Sequence, residues 1–237
     1  MPGESTKVLL CGEGPTDFGT EDRPLFGPLA EITFRLLETI SGEEGWHACS
    51  RCVSQKRMRT AIAETPKDNE RRGLDMSFVP QQEAPHYDAC LNFAKFCLQE
   101  NAMGVFHSDA DFTSDENGER VYTLMQESLQ RAIHLAEADD ICCCALPKPR
   151  SESWFMILAP ECTYSPAAIE AMPGNDSSPK SQKKILAEWG YSANMTPTLQ
   201  LVDEHYDLNK LMTLPSFQSF RQGLEHVFNA YYYGDYS

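Results

Sequence analysis

The chain has 237 residues, enough for one sizeable domain with a real apolar core. Its formal net charge of −15 excludes a broad basic surface for nucleic acid, so any phosphate substrate must be held locally, by a bound cation and a few Lys or Arg side chains. The first residues contain no apolar signal core, and no segment reaches the roughly 20 apolar residues that cross a bilayer, so a soluble cytoplasmic protein is expected.

Residues 7–11 form a short apolar run closed by Gly12-Glu13-Gly14-Pro15-Thr16-Asp17, the pattern of a buried parallel strand leaving into a turn. Leu29, Ile32, Leu36, Leu37 and Ile40 then recur at helical spacing over 28–40. A second strand is expected within 47–55, the start of a helix at 58–64, and a polar loop over 65–85 carrying one short strand at 76–79. Nine cysteines, an odd number in a long chain, suit reduced thiols better than a disulfide framework. Cys49 and Cys52 make a CxxC without the two further ligands a zinc site needs, so both are read as small apolar residues.

An amphipathic helix over 87–100 leads into a strand at 102–108. A polar turn at 113–119, a helix over 120–137 and a buried run at 141–146 repeat the unit. Strands alternating with helices imply a parallel sheet covered on both faces, with ligands collecting beyond the carboxyl ends of the strands. Ser151 is expected to cap a short apolar helix with Glu152 in its first turn. Residues 161–180, rich in proline, read as a loop serving as a lid or partner surface. Helical patterns at 181–189 and 217–232 flank a strand or loop at 198–202.

The chemistry-bearing stretch is Gly104-Val105-Phe106-His107-Ser108-Asp109-Ala110-Asp111-Phe112. Two aspartates spaced i, i+2 at a strand end present adjacent carboxylates whose mutual repulsion a divalent cation relieves, and oxygen ligands suit Mg²⁺ or Mn²⁺. His107 is expected to face away from them as a core or interface histidine. Lys148 and Arg150, just after the last strand, offer local positive charge for a phosphate.

Glu13-Gly14-Pro15-Thr16-Asp17 after the first strand, Asp109-Ala110-Asp111 after a central strand, Pro149-Arg150-Ser151-Glu152-Ser153-Trp154, and Pro215-Ser216-Phe217 together resemble the Toprim family. The resemblance is nearest to small stand-alone bacterial Toprim-like proteins related to OLD-type nucleases and often encoded beside an ATPase. It implies a Rossmannoid Toprim-like α/β core over 1–160, with 161–237 as a loop and helical extension packed on it. It further implies a metal-dependent phosphodiesterase or nuclease acting on nucleic acid, in a defence-like antiviral setting with an AAA- or ABC-type ATPase partner. Oligomeric state stays open. Glu13 would be general acid/base or metal ligand, Asp109 and Asp111 the metal pair, Asp17 and Glu152 further ligands or supporting groups, Lys148 catalytic, and Lys148 with Arg150 phosphate-binding. Two alternatives stay open. Asp109-Ala110-Asp111-Phe112-Thr113 also satisfies the Asp-x-Asp-x-Thr start of haloacid-dehalogenase-type phosphatases, although about a hundred residues precede it. A non-catalytic Toprim-shaped adaptor is mildly favoured by the acidic charge.

Overall fold

The computed structural model describes residues 7–14, 17–19, 26–54, 84–111, 115–174, 178, 180–191 and 195–234. Among them, four strands form one parallel sheet: β1 (Val8–Cys11), β2 (Ser50–Cys52), β3 (Met103–His107) and β4 (Cys142–Ala145), in spatial order β2-β1-β3-β4. The registers Val8↔Ser50, Val8↔Met103 and Gly104↔Cys142 align the strands. This is a Rossmann-like α/β fold. Moving from β1 to β2 and then to β3, the chain reverses its direction across the sheet, so the switch point lies between the carboxyl ends of β1 and β3.

Both faces are covered, as near-continuous apolar strands require. Val8, Leu10, Met103, Val105, Cys143 and Ala145 turn to one face, beneath helices α1 (Pro28–Ser41) and α9 (Pro215–Tyr233). Leu9, Cys11, Phe106 and Cys142 turn to the other, beneath α2 (Ala84–Glu100) and α3 (Asp115–Leu135). Helix α1 begins with Pro28 at its first turn and stops at Gly42, whose φ of 71° ends the helix in the left-handed region. Helix α2 lies close on β3. A Cβ at Gly104 would come 2.4 Å from Cys97 Sγ and 2.9 Å from Phe93 Cε1, so only glycine lets the helix approach this closely.

After β4 come α4 (Glu152–Leu158), α5 (Pro166–Glu170), α6 (Gln182–Glu188), α7 (Met195–His205), α8 (Leu208–Leu211) and α9. Trp154 on α4 stacks on Phe220 of α9 with ring centroids 5.4 Å apart, and its Nε1 donates to Ser216 Oγ at 3.0 Å. The described residues between 161 and 234 therefore complete the core on the α1 face.

Several expected elements change. The second strand is only three residues long, because Trp46–Cys49 forms a 3₁₀ turn in which Ser50 Oγ donates to Trp46 O. The helix expected from residue 120 already starts at Asp115, where charged residues hid the helical period. The expected loop over 161–180 contains α5, whose start is set by Ser165 accepting from Ala168 N at 3.2 Å and by Pro166 at its first position. Residues 198–202 are helical, within α7: Thr198, Leu201 and Val202 are buried at helical spacing. Cys52 is buried with Sγ donating to Phe18 O at 3.0 Å, and Cys49 is half-buried with Sγ donating to Trp46 O at 3.3 Å. The features expected at 58–64 and 76–79 lie outside the described residues. Among the described residues no helix is long and apolar enough to cross a membrane.

Candidate functional site

Where β1 and β3 end side by side, the chain supplies Glu13 from one turn and Ser108, Asp109 and Asp111 from the other. Glu13 bridges the two turns. Its Oε1 accepts the amide N–H of Asp109 at 3.0 Å and the hydroxyl of Ser108, and it lies 3.2 Å from His86 Nδ1. His86 sits in the first turns of α2, 2.8 Å from Ser108 Oγ, so the close docking of α2 on Gly104 also delivers an imidazole to the site. Burial alone would push the Glu13 carboxyl up. The hydrogen bonds from His86 and Ser108, with the charges of His107 and His86, outweigh it and hold Glu13 at about 2. Reciprocally, the Glu13 bond raises His86 against the opposing effect of its own burial.

A second pairing lies on the α1 side of the sheet. His107 is fully buried, with Nε2 3.2 Å from Asp109 Oδ1 and Nδ1 3.4 Å from Asp17 Oδ2. The Nε2 contact is a hydrogen bond, whereas Nδ1 makes an ion pair without a hydrogen bond. Burial would lower the imidazole pKa, yet the Asp17 charge, the hydrogen bond to Asp109 and the Asp109 charge raise it well above 6.5. The two flanking carboxylates favour the charged form of the ring. Asp17 is in turn fixed by Gly14 N at 2.9 Å, and Phe18 packs edge-on against the imidazole. The expectation that His107 faces away is thus corrected. His107 and Asp109 are two residues apart, and a period of two puts them on the same side.

Asp109 Oδ1 also accepts the Ser151 amide at 2.9 Å, tying the exit of β4 to the exit of β3. Burial raises the Asp109 pKa; His107 opposes this, while Glu13 and Asp17 add to it. Glu152 at the start of α4 is raised by burial and then by the Asp109 charge. Ser151 does not cap the helix, contrary to expectation: its φ and ψ are already helical, and its hydroxyl donates to Glu152 Oε2 at 3.5 Å rather than accepting a main-chain amide.

The two aspartates do not act as a matched pair. Asp111 adopts φ 44°, its amide donates to Pro149 O at 3.1 Å, and its carboxylate pairs with Arg150. Arg150 therefore meets Asp111 directly, as a charge neutralised within the protein. Lys148 turns away, to Glu119 and over the Tyr122 ring at 5.4 Å, beside a separate cavity that also includes Glu170. It does not join Glu13 and Asp109. His86 and Ser108 were not apparent from sequence.

The electrostatic links among Glu13, Asp17, Asp109 and Glu152 make one acidic cluster at the switch point, partly offset by His107. Among the described residues no three His, Cys, Asp or Glu side chains are grouped so as to hold a metal ion by themselves. Mg²⁺ does not demand such a cage, since it is held by one or two carboxylates with waters and substrate phosphates. The second oxygens of Glu13 and Asp109, which make no hydrogen bond among the described residues, fit that mode chemically. No family model matches the chain, and neither does any curated protein or solved structure.

Proposed function

We propose that this chain is a Toprim-type phosphodiester hydrolase, a nuclease that uses Mg²⁺ or Mn²⁺, with its site at the β1–β3 switch point. The observation that carries the reading is the Glu13 carboxylate reaching across that point to the Asp109 main chain, which puts the ends of both central strands into one acidic centre. Glu13 and Asp109 would hold the cation, with Asp111 and Glu152 beside them, and the cation would supply the positive charge that a phosphodiester needs in an acidic protein. Glu13, ionised at neutral pH, suits metal-ligand work, and a pKa of about 2 suits neither general acid nor strong general base work. His86, 3.2 Å from Glu13 and with its pKa raised by it, is placed for proton transfer there. His107 and the Ser151 amide fix Asp109 and offset its charge. Nucleic acid as substrate, an ATPase partner, the defence setting and the cytoplasmic location rest on the family resemblance.

Cleavage of a panel of DNA and RNA substrates with Mg²⁺ or Mn²⁺ tests the reading. Glu13→Gln and Asp109→Asn should each reduce metal-dependent cleavage in folded protein by roughly 10²–10⁴ in rate. Full activity of Glu13→Gln, together with a beryllium- or aluminium-fluoride adduct on Asp109, would establish the phosphatase instead. That alternative is less well supported, since Asp109 Oδ1 is occupied by His107 and Ser151. Metal binding without cleavage of any substrate would leave the adaptor.

A further inference from the structure

The face of the sheet beneath α2 carries a cluster of thiols that belong to neither pairing of the acidic centre. Cys90 on α2 and Cys144 on β4 approach to 3.8 Å between their sulfurs, although 54 residues separate them in sequence. Cys90 is completely buried, and Cys144 is half-buried. β4 is the last strand of the sheet, and along its outer side runs a groove of about 750 Å³ between α3 and α9. Cys144 lines it, with Leu129, Ile133, Phe220 and Val227 among its neighbours.

We propose that Cys144 and Cys90 are a peroxide-oxidisable pair, with Cys144 as the first thiol attacked and Cys90 as its resolving partner. In the first step Cys144 Sγ attacks one oxygen of hydrogen peroxide. The O–O bond breaks, the departing hydroxide takes the thiol proton and leaves as water, and Cys144 becomes a sulfenic acid. In the second, Cys90 Sγ attacks Cys144 Sγ. The S–O bond breaks, the hydroxyl leaves with the Cys90 proton as a second water, and a disulfide remains, so that one peroxide is reduced by two electrons as two thiols are oxidised. The sulfurs are already near van der Waals contact. Closing to the ~2.05 Å of a disulfide brings the two sulfurs together by less than 2 Å. Burial pushes the Cys90 thiol well up, in keeping with a resolving thiol that does not meet peroxide first. Cys142 borders the same groove but is only 3% exposed, and its neighbour Cys97 is 0% exposed, so that couple offers less access than Cys144.

The bond would tie together two elements that serve the acidic centre, α2 with His86 and β4 with the turn that presents Ser151. The thiol chemistry is independent of any hydrolase activity. The test is peptide mapping of the full chain after a few-fold excess of hydrogen peroxide, alkylation of remaining thiols and non-reducing digestion. The expected result is a linked Cys90–Cys144 peptide pair that dithiothreitol dissolves, lost in Cys144→Ser. Cys90→Ser should instead accumulate a dimedone-reactive sulfenic acid on Cys144. Three results would overturn the assignment: both thiols fully alkylated after oxidation, Cys144 linked to another cysteine, or Cys97–Cys142 as the dominant bond. The wild-type map decides even if a variant fails to fold.

Discussion

Gly104→Ala probes the tight contact between α2 and β3. The added methyl would meet Cys97 Sγ at 2.4 Å and Phe93 Cε1 at 2.9 Å, with Cys142 Sγ at 3.2 Å behind them. Phe93 is itself packed on Phe106, with ring centroids 5.9 Å apart, so neither neighbour can withdraw without disturbing the layer. Overpacking of this kind costs about 1–3 kcal/mol. Against it stands roughly 0.4–1 kcal/mol gained because alanine restricts the unfolded chain. A net loss of about 1–2 kcal/mol is expected, read as a lower urea midpoint at unchanged slope and a fall of roughly 2–8 °C in Tm for a chain of this size. Cys97→Ala removes the nearest clashing atom, so in that background the Gly104→Ala penalty should shrink by about 0.5 kcal/mol or more. Equal stability of Gly104→Ala and wild type, or an identical penalty in both backgrounds, would refute the packing argument.

Other measurements address the site and the core. Asp109→Ala should destabilise the protein by roughly 3 kcal/mol or more, since it strips one partner from the buried His107 cation and leaves the Ser151 amide unpaired; equilibrium unfolding in the presence of a chelator checks this. Glu13 has a folded pKa depressed from 4.5 to about 2, so its contribution to stability is present above pH 4.5 and is lost as pH falls toward 2. Glu13→Gln should flatten that acid limb of the stability profile. In metal-free protein the His107 imidazole should stay protonated at neutral pH by ¹⁵N NMR, and Asp17→Asn should lower its pKa. Trp154→Phe, which removes the Nε1 donor to buried Ser216, should cost about 1–2 kcal/mol in thermal unfolding.

What was legible in the sequence follows from the range of the interactions involved. β1, β3 and β4 are short apolar runs, and α1, α2, α6 and α9 show an apolar stripe within one window, so local periodicity sufficed for them, whereas β2 is Ser50-Arg51-Cys52 and owes its place to pairing with β1. Helix α7 was missed because its buried residues, Thr198, Leu201 and Val202, fill barely one turn and include β-branched side chains that suit a strand equally well. Glu13 and Asp109 could be named because strand ends of a parallel sheet share an edge. His107 was misplaced although its two-residue spacing from Asp109 was visible. Its other partner, Asp17, comes from a distant turn that no local pattern connects to it. His86 owes its role to where α2 docks, and Lys148, though next to a strand end, follows Glu119 and Tyr122 on α3. Neither direction is encoded nearby.

The covering of β3 and β4 by α9 bears on how the chain is made. A ribosome releases β1, β3 and β4, with all their carboxylates, well before Phe217 and Phe220 emerge to meet Trp154. Until then one side of the sheet has an uncovered apolar surface, and its pairings span long stretches of chain, conditions that slow folding and invite aggregation. The acidic centre is therefore finished late, when the last helix closes over strands synthesised long before it, and nascent chains stalled short of α9 should be clients for chaperones.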